Sequence, residues 1–236
     1  MKVAIFDLDG TVANSGPIIR KALATTMKEM AGIEVAEADL QQFVGPPLSW
    51  SLQQLGAPAS EVYEYEVFYR QYYSSISANT DLFPGFPEVF TELHDAGVGV
   101  ALATSKKQKV AEQVCAELGI IDYFDVLCGS SDITAEKYQV VGAALAGMEA
   151  GGWLDPAERR VEQTGLLEAN PAQLRNLPQQ RTDVVMVGDR IYDVRGAAVY
   201  QIPTIFVGWA EAPAEEFSLA WKIADDAEEL VDLIIG

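Results

Sequence analysis

The stretch Val3-Ala4-Ile5-Phe6-Asp7-Leu8-Asp9-Gly10-Thr11 decides how this chain is read. Four apolar residues, β-branched and aromatic among them, run into a glycine, which is the pattern of a strand buried on both faces of a parallel sheet. Strand alternation puts Asp7 and Asp9 on one side of it. Two carboxylates at the carboxyl end of a buried strand repel each other and lose hydration, and a divalent cation relieves both costs most simply. Mg²⁺ suits such a place, because it takes hard oxygen ligands and is commonly held by one or two carboxylates together with a substrate phosphate. A carboxylate is also a competent nucleophile toward phosphorus. The same pentapeptide accommodates a plainer reading, in which one Asp caps the following turn and the other is solvated.

Three further segments bear on that choice. A second apolar strand, GVGVALA over residues 97–103, ends at Thr104, Ser105, Lys106 and Lys107, where a helix opens. A hydroxyl and backbone amides in that setting suit a phosphoryl oxygen. Lys137 opens the helical pattern YQVVGAAL after the acidic turn Asp132–Glu136. Taken alone it reads as a solvated surface lysine. Last, Asp183–Val187 leads into Gly188-Asp189-Arg190-Ile191-Tyr192-Asp193, and the spacing of four puts Asp189 and Asp193 on one helical face.

With these four segments in order, the sequence resembles the haloacid dehalogenase-like (HAD) hydrolase superfamily, and within it the phosphoglycolate phosphatase-like branch with a helical cap. The resemblance covers nearly the whole chain. It implies that Asp7 is the nucleophile, Asp9 the general acid and base, Thr104 the hydroxyl of the second motif and Lys137 the lysine of the third. It implies Mg²⁺ held by the Asp7 carboxylate, the Asp9 backbone carbonyl and Asp189, with Asp193 binding directly or through water. Gly10, Thr104, Ser105, Lys106 and Lys137 are then expected around the substrate. The activity implied is a Mg²⁺-dependent phosphatase that hydrolyses a small phosphomonoester through an aspartyl-phosphate. Alternatives are a phosphomutase of the same fold, a nucleoside 5'-monophosphate phosphatase and, remotely, a silent interaction module. The last should have lost one of Asp7, Asp9, Lys137 or Asp189, and all four are present.

Strands alternating with helical stretches predict an α/β fold, an open parallel Rossmann-like sheet with helices on both faces. Candidate strands are Val3–Phe6, Val98–Ala103, Val126–Cys128, Val184–Val187 and Thr204–Val207, and Ala227–Ile235 suits a closing helix. The family order puts the first strand between the second and the fourth. Residues 1–15 and 81–236 form the expected core, and 16–80, which lack strand patterning, the expected all-helical cap. Its tyrosine-rich helix, Glu61–Ser75, reads as packing. The Phe43–Trp50 loop is the better candidate for substrate contact, with Trp50 as the bulky contact. Lys137 and Asp189 lie 52 positions apart, more than one helix and a short loop require. Residues 151–181 therefore read as an insertion, by default a surface decoration with a helical part over 156–167, with a partner contact or a place at the active-site rim as the alternatives.

The chain has 236 residues, 49% of them hydrophobic, enough for a substantial core. Its formal charge of -19 argues against nucleic-acid or anionic-membrane partners and leaves a small phosphorylated metabolite as the expected one, with a monomer or homodimer as the assembly. An anionic substrate then needs a locally positive site, with Lys106, Lys107, Lys137 and Arg190 as its sources. A first strand at residue 3 leaves no room for a leader and no apolar run spans a bilayer, so the expected location is the cytoplasm. Cys115 and Cys128 read as small buried hydrophobes, and the single histidine, His94, as a surface residue.

Overall fold

The computed structural model describes residues 1–131, 134, 136–156, 162–209 and 211–236. Six strands form one parallel sheet in the order β5-β4-β1-β6-β7-β8: β1 Val3–Phe6, β4 Gly99–Lys107, β5 Val126–Ser130, β6 Val184–Gly188, β7 Thr204–Val207 and β8 Lys222–Ala224. The five expected strands are present, and β1 lies between β4 and β6, with Val3 opposite Gly99 on one side and Val184 on the other. Every residue of β1 and β6 is buried, which is why both read as continuous apolar runs. Alternation sorts their side chains. Ala4, Phe6, Leu102 and Val187 face a core with Phe86, Phe90 and Leu93 of α4 (Phe86–Asp95) and Leu230 and Ile234 of α10 (Ala227–Ile235). Val3, Ile5, Ala101 and Met186 face the opposite core, with Val140, Val141 and Ala144 of α6 (Lys137–Ala150). Phe6 meets Phe90 edge to face at 5.3 Å between centroids, within the range such pairs favour.

Residues 16–79 hold no strand. They comprise α1 (Gly16–Ala31), a 3-10 segment at Glu37–Phe43, α2 (Leu48–Gln54), α3 (Val62–Ile76) and a 3-10 turn at Ser77–Asn79. This helical block joins the sheet through a two-stranded antiparallel ribbon, β2 (Ala13–Asn14) with β3 (Asp81–Leu82). Strands of two residues carry no readable periodicity, and neither the ribbon nor the three-residue edge strand β8 was expected.

The strand expected over 98–103 runs on to Lys107, and α5 (Gln108–Glu117) starts one residue later. Its register against β5 shifts between Ala103 and Lys107. Gly129 permits this crowding, since a Cβ there would lie 2.5 Å from the Gln108 Cα and 2.8 Å from the Lys106 carbonyl. The expected helix over 156–167 falls partly outside the described residues, at 157–161. Its described end is a 3-10 turn, Thr164–Glu168, followed by α7 (Pro171–Arg175), which Asn170 caps through the Gln173 amide. The segment is more than decoration. Ala169, Leu174 and Leu177 are buried against Val194 and Ala198 of α8 (Ile191–Ala198) and against Phe206 and Leu219. Among the described residues, no helix is long and apolar enough to cross a membrane.

Candidate active site

Motif residues converge at the carboxyl ends of β1, β4 and β6, where open α/β sheets bind ligands. Asp7 follows β1, and its amide donates to the Val187 carbonyl at 2.9 Å. It has the parity of Val3 and Ile5, so its side chain lies on the α6 side. There Lys137 Nζ, at the first position of α6, donates to Asp7 Oδ1 at 2.6 Å. The same Nζ lies 2.7 Å from Asp193 Oδ1. Asp193 Oδ2 accepts from the Asp189 and Arg190 amides at 3.2 and 3.0 Å, so this carboxylate also caps the start of α8. Asp189 accepts from the Thr11 hydroxyl at 3.1 Å. Gly10, at φ 86°, turns the chain just before Thr11, and a Cβ there would fall on the Asp189 carboxylate.

Asp7, Asp189 and Asp193 are buried and offer carboxylate oxygens within 4.8 Å of one another. Burial pushes the Asp7 carboxyl up to about 7 against the pull of Lys137, with Asp193 and Asp9 adding repulsion. Burial, then Asp193 and Asp7, raise Asp189 well above the ordinary carboxylate range. Burial alone would lower Lys137, but Asp193 and Asp7 hold it above its ordinary value. Three buried carboxylates around one ammonium leave surplus negative charge, and the donors are all hard oxygens. This set fits a small divalent cation such as Mg²⁺. Both Asp193 oxygens are already engaged with Lys137 and backbone amides, which casts it as the support behind Asp7 and Asp189.

Asp9 does not continue the alternation of β1. The chain turns at Leu8, whose carbonyl accepts from the Val12 and Ala13 amides, and Asp9 Oδ2 reaches Lys106 Nζ at 3.0 Å. Asp9 Oδ1 is buried without a hydrogen-bond partner among the described residues. Lys106 also donates to the Tyr73 hydroxyl at 3.1 Å and lies 4.3 Å from the centre of that ring. Thr104 is buried, and its oxygen accepts from the Lys106 amide at 3.2 Å, which leaves its own O–H free to donate elsewhere. A cavity of about 600 Å³ opens over these groups and is lined by Asp7, Asp9, Thr104, Ser105, Lys106, Lys107, Lys137 and Asp193.

Gly10 and Asp189 lie behind that lining, so Gly10 acts by making room for Asp189. Trp50 requires a correction. It is 45% exposed, packs on Phe43 at 6.0 Å and does not line the cavity. The reason is helical phase: α2 starts at Leu48, turning Ser51 inward and Trp50 toward solvent. Phe43, Pro46, Pro47 and Leu48 of the same loop do line it. Tyr69 and Tyr73 do more than pack, since both line the cavity, and the spacing of four that places them on one face was the available signal. Sequence reasoning also missed one other feature. Arg190 holds Glu216 through Nε and a second guanidinium nitrogen, both at 3.1 Å, and donates to the Val44 carbonyl, bridging core and helical block. Leu167 and Glu168 bring the inserted segment to the cavity wall, which favours its alternative reading at the active-site rim over plain decoration. His94 is half-buried, with Nε2 3.5 Å from Asp125.

Over residues 4–149 the chain matches the family model described as haloacid dehalogenase-like hydrolase. It is 34% identical over 218 residues, 91% of its length, to the tyrosine-protein kinase PtkA of Mycobacterium tuberculosis, of which it spans 64%, less than two thirds. The solved structure of PtkA superposes with a TM-score of 0.72 at 31% identity, covering 99% of this chain and 97% of that one. A phosphoglycolate phosphatase of Vibrio vulnificus is 34% identical over 147 residues, 56% of this chain and 62% of the relative. A haloacid dehalogenase-like hydrolase from Streptococcus pneumoniae shares the fold at TM-score 0.78 and 24% identity, covering 98% of both chains. With its four motif segments gathered at one end of a parallel sheet, this chain belongs to the haloacid dehalogenase-like hydrolase family.

Proposed function

We propose that the protein is a Mg²⁺-dependent phosphatase that hydrolyses a small phosphomonoester in two steps through an aspartyl-phosphate on Asp7. The observation that carries this reading is the Asp7 carboxylate, held from one side by Lys137 at 2.6 Å with oxygens of Asp189 and Asp193 close by. An Asp7 oxygen attacks phosphorus while the bond to the leaving oxygen breaks, and Asp9 gives that oxygen its proton. Asp9 then takes a proton from water as the water oxygen attacks the aspartyl-phosphate, releasing phosphate and restoring Asp7. The Asp9 oxygen with no partner, Oδ1, is the atom suited to this exchange. Lys137 and the Thr104 hydroxyl steady the charge on the transferring group. Asp7, the Asp9 backbone carbonyl and Asp189 would hold Mg²⁺, with Asp193 behind them, and the cation supplies further neutralisation of the phosphoryl oxygens.

Residues 16–80 act in this reading as a cap. Lys106 to Tyr73 and Arg190 to Val44 link it to the core, and closure excludes water from the cavity. A second reading, transfer of the phosphoryl group to a hydroxyl acceptor instead of water, draws support from the likeness to PtkA. Released phosphate and released alcohol, both measured over a panel of phosphomonoesters with Mg²⁺ and again in chelator, separate the two. Hydrolysis that stops in chelator supports the phosphatase, and turnover only when an alcohol or phenol acceptor is added supports transfer. Full hydrolysis in chelator would refute the metal-dependent reading.

A further inference from the structure

We infer that Arg195 is a specificity-determining residue that receives a second anionic group of the substrate, a carboxylate or another phosphate, remote from the phosphoryl being transferred. The inference rests on the phosphatase reading and goes beyond it in naming the substrate class. Four other cations facing the cavity are engaged by the protein's own carboxylates: Lys106 by Asp9 at 3.0 Å, Arg70 by Glu66 at 2.7 Å, Arg190 by Glu216 and Lys137 by Asp7 and Asp193. Arg195 differs. It lines the same cavity from α8, and its Nε is buried with no acceptor among the described residues.

Half-buried at the cavity wall and in no ion pair with a described carboxylate, the Arg195 guanidinium keeps its charge available to a ligand. The planar guanidinium fork matches a carboxylate or phosphate with two parallel hydrogen bonds, and this geometry gives selectivity as well as attraction. Its surroundings suit the task. Tyr192, three positions earlier on α8, and Leu167 and Glu168 of the inserted segment line the cavity with it. Glu168 disfavours an anion that fails to reach Arg195. A volume of about 600 Å³ holds far more than a phosphoryl group, leaving space for a substrate charged at both ends. The insertion thus supplies part of the specificity wall.

The test measures kcat/KM with Mg²⁺ for phosphoglycolate, fructose 1,6-bisphosphate and phenyl phosphate, in the parent, Arg195→Met and Arg195→Lys. The loss in Arg195→Met should be at least ten-fold greater on one of the two doubly charged substrates than on phenyl phosphate. It should lie mainly in KM, with partial recovery in Arg195→Lys. Which substrate suffers distinguishes a carboxylate from a second phosphate. Should Arg195→Met not fold, Arg195→Gln and Arg195→Lys carry the same comparison. Equal losses on all three substrates, or none, would overturn the role of Arg195 and leave the phosphatase reading standing, since the parent would still hydrolyse phenyl phosphate. A parent inactive on all three would take down both.

Discussion

Replacing Lys137 with methionine keeps most of the side chain's volume and removes its charge. Contacts of 2.6 Å to Asp7 and 2.7 Å to Asp193 disappear, while three buried carboxylates remain. Breaking a buried ion pair from one side costs about 3–5 kcal/mol, because the charge left behind is uncompensated. At roughly 2–4 °C per kcal/mol for a chain of this size, the metal-free variant should melt roughly 6–20 °C below the parent at pH 8. The loss should depend on pH. Native Asp7 titrates at about 7 against an ordinary value of 3.8, so in that window the folded state holds a proton that the unfolded chain has released. The stability tied to that proton is present in acid and lost as pH rises through about 7. Without Lys137 the native value climbs further, so the deficit should be smaller at pH 5 than at pH 8, and Mg²⁺ should restore part of the stability at pH 8 without restoring turnover. Thermal melts in chelator and in Mg²⁺, at both pH values, provide the assay. Equal melting of variant and parent at pH 8, or a larger deficit at pH 5, would refute the reasoning.

Three further outcomes follow from the same geometry. Asp7→Asn should abolish phosphate release while its melting temperature in chelator at pH 8 stays level or rises, because one of three crowded carboxylates has lost its charge; a clear drop in melting temperature would contradict this. Gly10→Ala should weaken both Mg²⁺ binding, read by calorimetry, and turnover, since φ of 86° is strained for alanine and its Cβ collides with Asp189. Wild-type affinity in that variant would show that Gly10 does not shape the site. Leu174→Ala should cost about 2–5 kcal/mol in denaturant unfolding, because Leu174 anchors the inserted segment in a buried cluster with Val194 and Phe206, and a cost near zero would return that segment to surface decoration.

What could be read from the sequence and what could not divide along physical lines. The apolar runs at Val3–Phe6 and Val184–Val187 are buried on both faces, so composition alone marked them as central parallel strands. The parity of Asp7 with Ile5 sends it to the α6 side, where Lys137 waits, and four-residue spacing brings Asp193 back onto the start of α8. Other features depend on distant chain meeting distant chain. Lys106 is locally an ordinary lysine at a helix start; Asp9 and Tyr73, remote in sequence, turn it into a buried link. Arg190 meets Val44 across 146 positions, and no local pattern announces that. Trp50 shows the opposite failure: residues of its loop line the cavity, but the phase of a short helix after Pro47 decides which side chain enters it. The polar composition of the inserted segment suggests decoration, while the few leucines that anchor it carry the structural information.

The central claim is that the phosphoryl group passes through Asp7. Asp9→Asn slows hydrolysis of the aspartyl-phosphate as well as its formation, so acid quenching of that variant, mixed with substrate and Mg²⁺, should leave a fraction of chains carrying one phosphoryl group. Peptide mass spectrometry should place it on Asp7, with none in Asp7→Asn and none in chelator. Turnover by Asp7→Asn at near the parent rate, or a phosphoryl group found on any other residue, would contradict the account.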